Sequence, residues 1–137
     1  MRSALQSCGL AGLFTSGLYI WLSPESGVVL WVHIIVGLMM IAALLPWLMR
    51  HVPSGLAHSR RRSFTVISWM LLAVMLLVLA TGLAMSVPAL LWQAGTLWFP
   101  PGEITAMLSF LHFWGAWTVP SGLILHLAMR HWARSRK

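Results

Sequence analysis

The hydrophobic positions of this chain form four long runs, which polar and proline- or glycine-containing segments separate. The runs cover approximately residues 4–22, 28–49, 64–87 and 104–132. A helix needs about 20 predominantly apolar residues to cross roughly 30 Å of hydrocarbon. Because each run is close to that length or longer, the pattern predicts an all-α protein, a bundle of four transmembrane helices that forms a single membrane domain over residues 1–137.

The composition agrees with a membrane protein. Hydrophobic residues make up 59% of the 137 residues and charged residues only 8%, whereas about a quarter of a soluble domain is charged. The single cysteine, Cys8, excludes an internal disulfide and a Cys-x-x-Cys-His motif for covalent haem attachment. Any haem is therefore expected to be held non-covalently.

The basic residues predict the orientation of the four runs. All nine flank apolar runs: Arg2, Arg50, Arg60, Arg61, Arg62, Arg130, Arg134, Arg136 and Lys137. A cytoplasmic N-terminus places all nine inside and the two acids, Glu25 and Glu103, outside, as the positive-inside rule requires. Both termini are then cytoplasmic, and runs two and four cross the membrane in the same direction. An anionic inner leaflet accounts for the net charge of +7, so no nucleic-acid partner is expected.

The segment over residues 88–103 is apolar, unlike the basic segment after residue 50. Its large apolar side chains are Leu90, Leu91, Trp92, Leu97, Trp98 and Phe99. One interpretation is an aromatic belt at the level of the lipid headgroups. The alternative is a docking surface for a partner protein.

The histidines carry the candidate chemistry, because coordinating side chains inside a bilayer are expensive and mark functional sites. His112 and His126 are 14 positions apart in run four, which corresponds to roughly 21 Å of helical rise and about 40° in direction. They therefore share a helix face. His33 and His51 in run two are 18 positions apart, or five full turns, and also share a face.

Runs two and four are parallel, so His33 and His112 are expected at one depth near the outer surface, and His51 and His126 toward the cytoplasm. Two histidines that face each other across a bundle can ligate a haem iron from both sides. Two such pairs predict two haems and an electron path through the bilayer. His131 is a rival of His51 for the inner position. For each histidine the alternative is a hydrogen-bonded contact between helices.

Other residues complete the predicted haem sites. Gly37, Gly115 and Gly122 lie about one turn from the intramembrane histidines, where the absence of a side chain would let a flat macrocycle approach the backbone. The alternative is ordinary small-residue packing between helices. Arg50 and Arg130 are candidates to pair with the propionates of the inner haem, and the alternative is that they only determine topology. His58 lies in a polar loop and is expected to be solvated.

This pattern resembles the small cytochrome b families of bacterial membranes, namely the cytochrome b subunit of formate dehydrogenase and the four-helix cytochrome b561 group. The resemblance rests on four spans, on the stretch His33-Ile34-Ile35-Val36-Gly37 near the outer end of run two, and on two histidines 14 positions apart in run four. It implies a multi-pass protein of the bacterial inner membrane. It further implies two b-type haems that carry electrons between a quinone pool and a redox partner.

By this resemblance, His33 and His112 hold the outer haem and His126 holds one side of the inner haem. The formate dehydrogenase pattern takes the last ligand from the first span. This sequence has only Gln6 and Cys8 at that depth. The inner haem is therefore either ligated by His51 instead or absent.

The sequence thus predicts an electron-transfer subunit that is not catalytic alone, since no nucleotide-binding loop or nucleophile constellation is present. Its expected partners are the lipid bilayer, a quinone, and either a dehydrogenase or reductase subunit or a cytochrome c. The main alternative is a non-haem membrane anchor or assembly subunit of a larger complex. A small metal transporter that uses His33, His112 and His126 is a second alternative, which the lack of acids within the runs disfavours.

Overall fold

The structure is a computed structural model that describes residues 2–57 and 62–132. Its elements are four helices: α1 (Arg2–Leu22), α2 (Gly27–Ala57), α3 (Arg62–Gln93) and α4 (Gly102–Trp132). Each of the four apolar runs lies inside one helix, and no strand occurs in the described residues. The predicted all-α helical architecture is confirmed.

Three helical segments are long and apolar enough to cross a membrane: Gly27–Arg50, Arg62–Gln93 and Gly102–Met129. Helix α1 has 21 residues, which is sufficient length, but it is not among the three. Polar residues such as Gln6, Thr15 and Ser16 lower its hydropathy. The structure is therefore typical of a helical membrane protein, while a fourth span in α1 and the cytoplasmic location of both termini stay predictions.

The chain divides into two compact units, Met1–Arg50 and His51–Lys137. The first contains α1 and most of α2, joined by a tight turn in which the Ser26 N–H donates to the Ser23 carbonyl at 3.2 Å. The two helices pack as an antiparallel hairpin through small residues of α1. A methyl group added at Gly9 would lie 2.6 Å from the Met40 sulfur, so only glycine admits this side chain without a shift.

The second unit contains α3 and α4, which pack against each other as an antiparallel pair. Glycines of α4 contact side chains of α3: a methyl group at Gly115 would lie 2.6 Å from Val78 Cγ2, and one at Gly122 would lie 3.1 Å from Leu71 Cδ1. Membrane helices use such small residues because they allow close backbone approach and extensive van der Waals contact. This packing sets the register in which α3 side chains meet α4.

Helix α3 continues beyond the predicted end at residue 87, and passes through Pro88 to Gln93. Membrane helices tolerate an internal proline because neighbouring groups compensate for the lost hydrogen bond. The helix ends at Gly95, whose φ is +79°. The Thr96 N–H donates to the Leu91 carbonyl and the Gly95 N–H to the Trp92 carbonyl. This is the Schellman arrangement, which satisfies carbonyls of the last turn.

Replacing Gly95 with alanine should destabilise the connection between α3 and α4. An L-residue in the left-handed region costs about 1–2 kcal/mol because its Cβ approaches the following carbonyl oxygen. The expected loss in unfolding free energy is measurable by reversible titration with a denaturing detergent. Gly102→Ala is the control, since a methyl group there meets no atom within 4 Å. Equal stability of the two variants would contradict this role for Gly95.

The apolar segment between α3 and α4 is shorter than the predicted loop of residues 88–103. Helix α3 takes its first part and α4 begins at Gly102. Large apolar side chains remain exposed here, including Trp92 at 59%, Leu97 at 70% and Phe99 at 69%. They adjoin the ends of two membrane-length helices, where amphipathic aromatic rings are commonly found.

Candidate ligating histidines

His33 lies on α2, is partly buried, and contacts α1 through a hydroxyl group. Its Nδ1 atom is 2.8 Å from Ser16 Oγ, and the Ser16 hydroxyl lies 3.1 Å from the Leu13 carbonyl oxygen, to which it donates. A hydroxyl has one proton to donate. With that proton directed to the carbonyl, Ser16 Oγ can accept from His33 Nδ1–H. In this arrangement the neutral imidazole carries its lone pair on Nε2.

His112 on α4 has the same arrangement toward α3. Its Nδ1 atom is 3.1 Å from the Val78 carbonyl oxygen and 3.2 Å from Thr81 Oγ1. A carbonyl can only accept, so Nδ1 must be the protonated nitrogen. The Thr81 hydroxyl donates to the Leu77 carbonyl at 2.8 Å, and its oxygen therefore also accepts from Nδ1–H. Thr81 is only 4% exposed, which isolates these bonds from competing partners.

His126 lies 14 residues further along α4 and repeats the pattern with a different neighbour. Its Nδ1 atom is 3.1 Å from Ser68 Oγ, and the Ser68 hydroxyl donates to the Phe64 carbonyl at 2.7 Å. With the Ser68 proton directed to the Phe64 carbonyl, its oxygen can accept from His126 Nδ1–H. The ring of Phe64 also packs against the imidazole, with centroids 4.7 Å apart and planes inclined by 34°.

The three histidines predicted as ligands within the membrane thus each place Nδ1 within hydrogen-bond distance of an oxygen of the neighbouring helix. Imidazoles that bind a metal through one nitrogen almost always donate the other N–H to an oxygen, which determines the tautomer and the ring orientation. Here the oxygens belong to Ser16, Thr81 with Val78, and Ser68. The donor set therefore fits a haem iron that is ligated through Nε2.

The sequence analysis did not identify Ser16, Thr81 or Ser68 as neighbours of the histidines. A signal was present: residues 16 and 33 are equally distant from the turn between α1 and α2, and residues 81 and 112 are nearly so from the next connection. Antiparallel helices place such residues at the same level. Rotation of each helix about its axis decides whether they touch, and the sequence pattern did not specify it.

The predicted glycines pack differently from the expectation that they border a ligand. Gly115 and Gly122 face Val78 and Leu71, and a methyl group at Gly37 would lie 3.9 Å from Leu13 Cδ2. These are the small-residue contacts between helices that were the alternative interpretation. Approach of a macrocycle to these three glycines stays a prediction.

Two other glycines border the imidazoles directly. A methyl group at Gly17 would lie 3.2 Å from His33 Cε1, and one at Gly82 would lie 2.8 Å from His112 Cε1. Each glycine directly follows the residue whose hydroxyl contacts the same ring. The antiparallel packing places both residues against one side of the imidazole.

The remaining candidates lie partly outside the described residues. The backbones of His51 and Arg130 belong to α2 and α4, but their side chains, and that of the rival His131, are not described, and His58 lies outside the described ranges. Arg50 is exposed. Among the described residues no group of three or more His, Cys, Asp or Glu side chains converges. A haem site with two histidine ligands does not require a group of three.

Comparison of the chain with known protein families, with curated proteins and with solved structures finds no match. The functional argument therefore depends on the chemistry of the histidines and of the residues that hold them.

Proposed function

We propose that this protein is a membrane b-type cytochrome subunit that passes electrons between a quinone pool and a redox partner protein. The observation that supports it is that Nδ1 of His33, His112 and His126 each lies within hydrogen-bond distance of an oxygen of the neighbouring helix. Imidazoles that coordinate a metal through Nε2 are usually held in this way through Nδ1.

In this proposal His33 and His112 ligate an outer haem, and His126 and His51 ligate an inner one. The pairing comes from the depths that the sequence predicts for these residues, and the hydrogen bonds to Ser16, Thr81 and Ser68 support their competence as ligands. Each bound haem would take up and release one electron at a time. Arg50 and Arg130 are the candidates to pair with propionates of the inner haem.

The residues of this chain would provide position and environment. The hydroxyls of α1 and α3 hold the rings, and the apolar helices around them exclude water, which raises the strength of each polar contact. A haem held by two histidines would transfer electrons without binding oxygen. The chemical substrate is then handled by a partner, either a dehydrogenase or reductase subunit or a cytochrome c. The bacterial inner membrane, with both termini cytoplasmic, is the proposed location.

The reduced-minus-oxidised visible spectrum of the detergent-purified protein tests this proposal. We expect the sharp absorption of low-spin b-type haem, with about two haems per chain when both axial pairs are complete. A content of about one haem per chain would support the proposed outer site and contradict the proposed inner one. Colourless protein after expression with ample haem would refute the proposal and favour a non-haem anchor subunit.

A further inference from the structure

Two dipeptides on α1 and α3 have the same relation to a histidine of the following helix. In the first unit, Ser16 Oγ is 2.8 Å from Nδ1 of His33, and Gly17 lies beside the Cε1 edge of the same ring. In the second unit, Thr81 Oγ1 is 3.2 Å from Nδ1 of His112, and Gly82 lies beside its Cε1 edge. Each helix hairpin therefore contains a hydroxyl residue, a glycine and a histidine in equivalent positions.

The two residues of each dipeptide restrain the ring in complementary ways. The hydroxyl group accepts the Nδ1 proton, which determines the tautomer and the rotation of the ring about its last torsion. The glycine leaves space for the ring edge against the helix backbone. With any larger residue this space closes: a methyl group at Gly82 would lie 2.8 Å from Cε1 and 3.3 Å from Nδ1 of His112, well inside van der Waals contact.

His126 is held by a different arrangement. Ser68 accepts its Nδ1 proton, but the residue after Ser68 is Trp69, which is 51% exposed. The ring is instead packed against Phe64. His126 therefore lacks the glycine contact that His33 and His112 share.

We propose that Ser16-Gly17 and Thr81-Gly82 are equivalent positioning pairs that orient His33 and His112 as matched ligands, one from each helix hairpin. The orientation of the rings does not depend on a bound cofactor. That both rings ligate haem iron rests on the proposed function. None of the four residues would touch the iron, so their effect is exerted through the imidazoles.

The role of the two glycines is tested in haem-free protein in detergent. The ¹⁵N resonances of its histidines report the tautomer of each ring. In the unsubstituted protein we expect His33, His112 and His126 as Nδ1–H tautomers. Gly82→Ala should displace the His112 ring from the Val78 carbonyl and so change the His112 resonances alone. Gly17→Ala should change those of His33 to a smaller extent, because its methyl group would lie 3.2 Å from Cε1.

The control is Gly12→Ala on α1, where an added methyl group meets no atom within 4 Å. It should leave the histidine resonances unchanged. Unchanged His112 resonances in Gly82→Ala, or an equal change in Gly12→Ala, would overturn the inference.

The role of the hydroxyl groups is tested by two substitutions of Ser16, one that removes the hydroxyl and one that retains it. Ser16→Ala removes the oxygen that accepts from His33 Nδ1–H, so part of the His33 population should move to the other tautomer. Ser16→Thr retains the hydroxyl and should give the original resonances. If only the size of the side chain mattered, this larger residue would not preserve them. Absence of any difference between these two variants would contradict the positioning role of Ser16.

Haem-loaded protein gives a second readout. Loss of an outer-shell partner typically weakens metal binding about 10–100-fold, and we expect a loss of haem retention in this range for Gly82→Ala and a smaller one for Ser16→Ala. Both should affect the same spectral component, whereas Ser68→Ala should affect another. If the unsubstituted protein binds no haem but the ¹⁵N results are as expected, the proposed function fails and the positioning pairs stand.

Discussion

If the protein is the proposed b-type cytochrome, replacement of His112 with alanine should abolish one complete spectral component, and replacement of His33 should abolish the same component. A low-spin iron with two imidazole ligands loses its sharp reduced spectrum when either ligand is removed. His126→Ala should remove a different component, because the sequence places it about 21 Å of helical rise from His112. Haem content should fall from about two to about one per chain in each variant.

The measurement is the redox-titrated visible spectrum of each purified variant, with haem content determined on the denatured protein. His58→Ala is the matched control, since the sequence places His58 in the polar segment between runs two and three. It should retain both components. If the His33 and His112 substitutions are spectrally silent, or remove different components, the pairing of these two histidines is wrong.

The second large effect concerns the contact between α3 and α4. Gly115 is buried, and a methyl group there would lie 2.6 Å from Val78 Cγ2. Gly115→Ala should therefore force the two helices apart or displace Val78, at a cost of about 1–3 kcal/mol for an overpacked interface. In a helix position without this contact, the same substitution would stabilise by up to about 1 kcal/mol, because alanine is the better helix former.

A double-mutant cycle measures this effect. Val78→Ala removes the obstructing methyl group, so the double variant Val78→Ala/Gly115→Ala should regain most of the stability that Gly115→Ala loses. The free energy of unfolding is obtained by reversible titration in mixed micelles. Gly12→Ala, with no atom within 4 Å of the added methyl group, serves as the control for helix propensity. Additive effects of the two single substitutions would contradict direct contact between these positions.

The two effects are connected through Val78. Its side chain packs against Gly115, and its carbonyl oxygen accepts from His112 Nδ1–H. Displacement of α3 by the Gly115→Ala substitution should therefore also disturb His112, three residues away on the same helix. The rescued double variant should recover the His112 ¹⁵N resonances together with stability.

Much of the helical architecture could be predicted from the pattern of apolar positions. Each of the four runs lies in one helix, and the polar segment between the first two runs forms a turn. Helix ends were predicted less well: α3 extends through Pro88 to Gln93 where the run was taken to end at residue 87. A proline signals a helix boundary in water, but the Schellman turn at Gly95 places the end of this helix two turns later.

The candidate histidines were likewise identified from their position within apolar runs, because a coordinating side chain in hydrocarbon is costly wherever the helix lies. Their partners were not. In sequence, nothing distinguishes Ser16, Ser68 and Thr81 from the other hydroxyl residues of these helices. Thr118, for example, donates to a carbonyl of its own helix. The two glycines that border the rings, Gly17 and Gly82, were not identified either.

The sequence by itself therefore determined the helices and their membrane character, and it supplied the histidines as candidate ligands. These properties follow from local hydropathy and side-chain chemistry, which do not depend on what a residue touches. Only the tertiary structure decided which oxygen each imidazole Nδ1 meets. Each of these oxygens belongs to another helix, and its position depends on how the helices pack, as Val78 does against Gly115 and Met40 against Gly9.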